Sequence, residues 1–233
     1  MINVSILLPV YNCEKTLKRS LLSIKNQTYQ EFETIVIINN CTDDSEKIAK
    51  TFLDKMNLKI VHCKIQGIAA ALNTGILVSK ANIMARQDGD DYWHPTKLAK
   101  QMQFMNKNSE IDILGTQIRL VDVNGKLLDE TITHPITNND IKRDLINYRN
   151  AIAHPSVMFR KSILLKAGMY EDTYEYMEDY SLWLKCLRWC KFANIDEKLV
   201  DYTVKHNIKY NPELAVLACN NMRNILNKQN IIV

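Results

Sequence analysis

Asp88, Asp90 and Asp91 put three carboxylates within four positions, inside the stretch Ala85-Arg86-Gln87-Asp88-Gly89-Asp90-Asp91-Tyr92-Trp93. Carboxylates this dense are hard oxygen ligands, suited to a divalent cation and to the nucleotide diphosphate that such a cation neutralises. Asp and Gly are also ordinary turn residues, so the spacing has a plain alternative in turn chemistry. A second acidic pair, Glu178-Asp179, stands where a helical pattern begins. It offers a proton acceptor, or else only the negative charge that a helix N-terminus favours. The six cysteines are scattered, and only Cys186 and Cys190 fall one helical turn apart. Two such ligands do not make a zinc site, so free thiols are expected.

The elements around these residues follow from apolar periodicity. Val4 to Val10, Phe32 to Ile38, Leu58 to Cys63 and Ala81 to Ala85 are short continuous apolar runs, the pattern of strands buried on both faces. Between them, Glu14 to Asn26 carries Leu17, Leu21 and Ile24 at helical spacing with Lys15, Lys18, Arg19 and Lys25 on the other side. Asp43 and Glu46 have capping-box spacing before a helix expected to run to about Met56. Ile68 to Val78 is rich in small residues, as in a helix lying close on a sheet. His94-Pro95-Thr96 reads as a helix start with proline in its first turn. This rhythm predicts a parallel α/β half with the carboxylates at the end of its fourth strand, facing the crevice where such sheets bind ligands. The half has no glycine-rich phosphate turn, so a metal held by the acids would have to neutralise a diphosphate.

After Met105 the pattern changes. Ile111 to Leu114 and Gln117 to Val121 read as strands, with Asn124-Gly125 as a hairpin turn and Lys126 to Thr133 as the return. Thr137 and Asp140 open a helix, His154 to Phe159 reads as a strand, and Arg160 to Ala167 as a helix stopped by Gly168. Glu178 begins a helix with Leu182, Trp183 and Leu187 inward, and Trp183 is expected in the core. Leu199 to Val204 is read as the last strand before Lys205-His206. Pro212 to Gln229 gives a closing helix with Leu214, Leu217, Ala218, Ile225 and Leu226 on one face. His154 is expected as a buried histidine bonded to a backbone carbonyl.

With 233 residues the chain can bury a full core as a single domain. Thirty Lys and Arg against 26 Asp and Glu give a net charge of +4, too mild for a nucleic-acid binder but compatible with an anionic ligand. No apolar run reaches membrane-spanning length, and Met1 leads into a strand without a leader pattern. The expectation is a soluble, cytoplasmic chain with room for peripheral contact with an acidic membrane.

Taken in register, these stretches resemble the family 2 glycosyltransferases of the GT-A fold. The pieces are Leu8 to Asn12, Asn40 to Asp43, Gly67 to Asn73, Ala85 to Asp91, His154 to Arg160, Glu178 to Trp183 and Tyr202 to His206. The resemblance covers nearly the whole chain. It implies an α/β GT-A domain over residues 1–233, with a mostly parallel central sheet and helices on both faces. Residues 1–107 would be the nucleotide-sugar-binding half, and residues 108–233 the acceptor-binding half. It implies an inverting, metal-dependent transfer from a nucleotide-sugar to an acceptor hydroxyl in glycan or polysaccharide assembly. By the same resemblance Pro9, Val10 and Tyr11 line the base pocket, Asp88 meets the nucleoside, and Asp90 with His206 ligates Mn2+ or Mg2+. Arg86 orders the donor side, and Asp179 is the catalytic base with Glu178 as its alternate.

The chain departs from the family where many members carry base-contacting aspartates. It has Asn39-Asn40 there, amides that can still hydrogen-bond uracil, so a UDP-sugar is the expected donor. Threonine and lysine before His206 replace a common arginine. Two rival readings remain: a partner subunit that binds a nucleotide-sugar without transferring it, and a nucleotidyltransferase, which the missing phosphate loop disfavours.

Overall fold

The computed structural model describes residues 2–172, 177–204, 220 and 223–228. Val4–Val10 (β1) and Phe32–Ile38 (β2) are buried along nearly their whole length. They pair in parallel from Val4 with Phe32 to Val10 with Ile38. Leu58–His62 (β3) flanks β2, and Ile83–Arg86 (β4) flanks β1, both in parallel. Tyr92–Trp93 (β5), Ile113–Val121 (β6), Met158–Arg160 (β7) and Phe192–Thr203 (β8) complete the sheet. Its eight strands run in the order β3-β2-β1-β4-β7-β6-β8-β5. β7 is antiparallel to both neighbours and β5 to β8, while β6 and β8 are parallel.

Alternation along β1 assigns the two faces. Val4, Ile6, Leu8 and Val10 pack with Leu17, Leu21 and Ile24 of helix α1 (Leu17–Lys25) and with Leu98, Met102 and Met105 of a later helix on the same side. Leu7 faces the opposite layer, with Ala69, Leu72 and Ile76 from the helix that follows β3 and with Leu182 and Trp183. In chain order the other helices are α2 (Ser45–Lys50), α3 (Ile68–Val78), α4 (Lys97–Lys107), α5 (Asn138–Ile146), α6 (Lys161–Lys166) and α7 (Glu178–Cys186). The small face of α3 lets it lie close on the sheet: a Cβ on Gly75 would come within 2.9 Å of Ile37 Cδ1 and 3.0 Å of Leu7 Cδ2. Among the described residues no helix is long and apolar enough to cross a membrane.

Several expectations need correcting. The capping box at Asp43 and Glu46 does not form. Asp43 instead accepts bonds from the Glu14 and Ser45 amides, Glu46 pairs with Lys50, and α2 ends at Lys50. The two strands expected across Ile111 to Val121 are one strand, β6. The Asn124-Gly125 turn is present, with Gly125 at φ +84° and Asp122 Oδ1 accepting from the Asn124 and Lys126 amides. The return strand is not: pairing stops at the single bridge of Val121 with Leu127, and past Leu128, which packs on the core, the segment runs through Asp129-Glu130 to an exposed Ile132.

In its place β8, longer than the expected Leu199 to Val204, runs beside β6. A register shift around Gln117 absorbs the charged run Asp196 to Lys198, which disguises the strand in the sequence. Pro95 lies just before the N-cap Thr96 and not within α4, and His154–Ser156 is a 3-10 turn leading into β7. The first five cysteines are free thiols, as expected, and Cys219 lies outside the described residues. So do Leu214, Leu217 and Ala218 of the closing helix, whose described part is helical with Ile225 and Leu226 buried.

Lys97 is fully buried, with its Nζ 2.7 Å from Gln101 Oε1 and 3.8 Å from the Trp93 ring centroid. Burial holds its pKa well below the ordinary 10.5. The folded state therefore binds fewer protons than the unfolded chain between that lowered value and 10.5, and stability declines as pH falls through this window. Lys97→Met is expected to raise the urea midpoint at pH 7, with the gain over wild type shrinking as pH approaches 10. Gly75→Val should cost about 1–3 kcal/mol by overpacking against Ile37 and Leu7, read as a lower urea midpoint with an unchanged denaturant slope.

Candidate active site at the carboxyl edge of the sheet

Strands β2, β1 and β4 are neighbours in parallel register, so the segments that leave them emerge at one edge. That edge brings together Asn39-Asn40, Tyr11 and the run from Arg86 to Asp91. The acidic run is held by its backbone. Ser20 Oγ donates to Asp88 O at 2.8 Å, Thr16 Oγ1 to Gly89 O at 2.9 Å, and Arg19 Nη2 to Asp90 O at 2.7 Å. Thr203 Oγ1 at the end of β8 also donates to Asp90 O, at 2.5 Å, and Gln87 Nε2 to Asp91 O at 3.0 Å. Further along α1, Ser23 Oγ accepts the Trp93 amide and Gln27 Nε2 donates to His94 O.

With the carbonyls bound, Asp88, Asp90 and Asp91 each bring an oxygen within 4.8 Å of the others. Asp91 is almost completely buried; its Oδ1 accepts the Thr203 amide at 2.8 Å, and its Oδ2 has no partner among the described residues. Burial, then the charges of Asp88 and Asp90, push the Asp91 carboxyl well above the usual carboxylate range. A buried carboxylate oxygen without a donor, beside two more carboxylates, fits a divalent cation. Asp90, the expected cation ligand, lies in this cluster together with Asp91, and His206 lies outside the described residues.

Behind this cluster is Arg86, 3% exposed, with Nη2 paired to Asp88 Oδ1 and with Nε and Nη1 unpartnered among the described residues. Burial opposes its charge, but Asp88, Tyr170, Glu178 and Asp91 outweigh that penalty and raise its pKa. The guanidinium therefore feels Asp88 and Asp91 together with Glu178 of the second acidic pair. Glu178 and Asp179 open α7, where Asp179 Oδ2 accepts Asn150 Nδ2 at 2.9 Å and its Oδ1 accepts the Tyr180 amide at 2.7 Å. His154 is buried as expected, but its partner is not a backbone carbonyl: Nε2 lies 2.9 Å from the Tyr170 hydroxyl. Trp183 is wholly buried.

At the other end of the edge, Val10 sits in the core layer and Pro9 is half-buried, which leaves Tyr11, 54% exposed, as the open ring. Asn39 is buried and fully engaged. Its Nδ2 donates to Cys63 O and Ile65 O, and its Oδ1 accepts the Gly67 amide, at 3.1, 2.6 and 3.0 Å. Asn40, at φ +56°, is exposed, with Nδ2 donating to Lys64 O and to Gln66 Oε1.

Several groups at this site carry no motif. Arg19, expected among the solvent-facing cations of α1, turns inward to Asp90. It belongs with Thr16, Ser20, Ser23 and Gln27, whose spacing of four, three and four residues is a helical face as regular as the apolar one beside it. Asn150 and Tyr170 come from distant segments with no local spacing to mark them, and Thr203 lies in the Tyr202 to His206 stretch, which does not reveal its bond to Asp90.

The chain can now be set beside known proteins. Residues 5–167 match the family model described as glycosyl transferase family 2. The O-antigen biosynthesis glycosyltransferase WbnJ of Escherichia coli is 34% identical over 238 residues, which cover 98% of this chain and 91% of that protein. Among solved structures, S. aureus TarS 1-349 in complex with UDP-GlcNAc gives a TM-score of 0.78 at 18% identity, over 97% of this chain and 66% of that one. The mannosyltransferase PcManGT from Pyrobaculum calidifontis, in complex with GDP-Man and Mn2+, gives 0.68 at 16% identity, over 88% and 58%. This chain therefore spans about two thirds or less of the length of those two structures, and at such identity they speak for the fold. Strand order, helices on both faces and a family match over most of the length agree: the chain belongs to glycosyl transferase family 2 and is a glycosyltransferase with the GT-A fold.

Proposed function

We propose that this glycosyltransferase is an inverting enzyme that moves a sugar from a UDP-sugar to an acceptor hydroxyl in polysaccharide assembly. The observation that carries the reading is the pair of carboxylate clusters, Asp88-Asp90-Asp91 and Glu178-Asp179, on either side of the buried Arg86. The name of WbnJ supports a polysaccharide setting, and the UDP-GlcNAc bound by TarS supports the donor class.

In this reading residues 1–107 take the donor and residues 108–233 the acceptor. The base lies against Tyr11, beside Pro9 and Val10, and hydrogen-bonds Asn40. Asn39 shapes the pocket through the loop it holds. Asp88 meets the nucleoside, and Arg86 sets the position of Asp88. Asp90 and Asp91, with His206, would hold Mn2+ or Mg2+, which neutralises charge on the departing diphosphate when bound. The Mn2+ in PcManGT supports that assignment.

Asp179 takes the acceptor hydroxyl's proton while that oxygen bonds to the anomeric carbon and the bond to the diphosphate breaks. One displacement inverts the centre, so one base suffices. The amide of Asn150, donating to Oδ2, orients Asp179.

A thermal-shift screen with UDP, GDP, CDP and dTDP sugars, with and without Mn2+, tests the donor site. UDP-sugars are expected to stabilise in a metal-dependent way, by about 2.7 kcal/mol at a hundredfold excess over Kd, and Asp90→Asn to remove the metal-dependent part. A shift confined to GDP-sugars would reassign the base. Asp179→Asn should keep the donor shift and lower transfer by about 10^2- to 10^4-fold. Undiminished transfer by that variant would remove Asp179 from the mechanism.

A further inference from the structure

His154 and Tyr170 flank the acceptor-side carboxylates, and neither has a part in the machinery described so far. His154 comes from the 3-10 turn before β7, Tyr170 from the segment after α6, and Glu178 and Asp179 from α7. His154 Nε2 is 2.9 Å from the Tyr170 hydroxyl, and its Nδ1 is 3.7 Å from Glu178 Oε1. The ligand atoms of His154, Glu178 and Asp179 all lie within 4.8 Å of one another. The imidazole is further fixed by the edge of Trp183, at 88° and 6.0 Å between ring centroids.

We propose that His154 is a positioning residue for the base, an uncharged donor locked in its Nδ1–H tautomer by Tyr170 and directed at Glu178 beside Asp179. This rests on the reading of the Glu178-Asp179 pair as the acceptor-side base. Two tautomers are available to a neutral ring, and only one satisfies both neighbours. If Nε2 carried the proton, the buried Tyr170 O–H would have no acceptor among the described residues, and the Nδ1 lone pair would face a carboxylate. If Nδ1 carries it, Tyr170 donates to Nε2 and the ring's N–H faces Glu178.

A third state, the imidazolium, is disfavoured. Burial and then Arg86 hold the His154 pKa well below its ordinary value, against the smaller pull of Asp179. Tyr170 is held in its protonated form by burial, so its O–H is always there to donate. The 3.7 Å gap is of the size that closes when substrate draws catalytic groups together. The functional consequence is that Glu178 is turned towards a neutral donor. Asp179, held by the Asn150 amide and the Tyr180 N–H, stands beside Glu178.

Two variants separate positioning from packing. The amide nitrogen of Asn overlies Nδ1 of histidine and that of Gln overlies Nε2, so only His154→Asn can keep the donor towards Glu178. With UDP-glucose, UDP-galactose and UDP-GlcNAc tested for UDP release in Mn2+, His154→Asn is expected to stay within about 3-fold of wild-type kcat. His154→Gln should fall about 10- to 100-fold, the worth of one hydrogen bond to a charged group, at unchanged donor KM. Equal loss in both variants, or in neither, overturns the proposal.

Long-range 1H–15N spectra of the histidine rings decide the tautomer without any substrate. His154 should show the Nδ1–H form from pH 6 to 8 and lose it in Tyr170→Phe. An Nε2–H ring or an imidazolium at pH 7 in wild type overturns the proposal. If Asp179→Asn keeps full turnover, it is the assignment of the base that fails, an outcome distinct from either histidine result.

Discussion

Three carboxylates in four residues repel one another, and burying one of them adds a desolvation cost to that repulsion. The loop from Asp88 to Asp91 keeps this arrangement because each of its carbonyl oxygens is already bound by a donor from elsewhere in the chain. The donors come mainly from one polar face of α1 and from the end of β8, elements seated by the apolar layers on the sheet. Carboxylate positions in a 233-residue chain are thus set by the packing of a nine-residue helix. The geometry of the acids is imposed by hydroxyls, amides and one guanidinium that bind the loop through its backbone carbonyls.

Arg86 is the second element of that design. A guanidinium this deep is tolerable only beside negative charge, and it has such charge on two sides. Its Nη2 is spent on Asp88, while the orphaned Nε and Nη1 remain the kind of buried donors that native proteins rarely leave unsatisfied. Asp88 and Asp91 on one side and Glu178 on the other are thereby tied to one cation, so that a change of charge in either cluster is felt by the other.

Much of this architecture is legible in the sequence, for physical reasons that differ by element. β1 and β2 are readable because strands buried on both faces are largely apolar, and the observed limits of β1, β2, β3 and α3 differ from the expected ones by a residue or less. β8 is hidden because Asp196, Glu197 and Lys198 sit in its middle, where a register shift exposes them. The return strand after Gly125 fails for the opposite reason: its turn chemistry is sound, but beyond Leu128 the segment passes into Asp129-Glu130 and the exposed Ile132. At the site, acids in a tight cluster announce themselves. The groups that aim them, such as Arg19, Asn150 and Thr203, look like ordinary surface residues until the fold brings them in.

The amide of Asn39 makes three backbone bonds that no other side chain of its size can make at once. An aspartate there could still accept the Gly67 amide, but its second oxygen would oppose the Cys63 and Ile65 carbonyls. Asn40 carries no comparable constraint, being exposed and bonded only to Lys64 O and the Gln66 side chain. Adjacent and chemically identical, the two residues therefore differ in how far they are free to drift. A lineage descended from this chain is free to vary position 40, while position 39 is anchored by the loop that leads into α3.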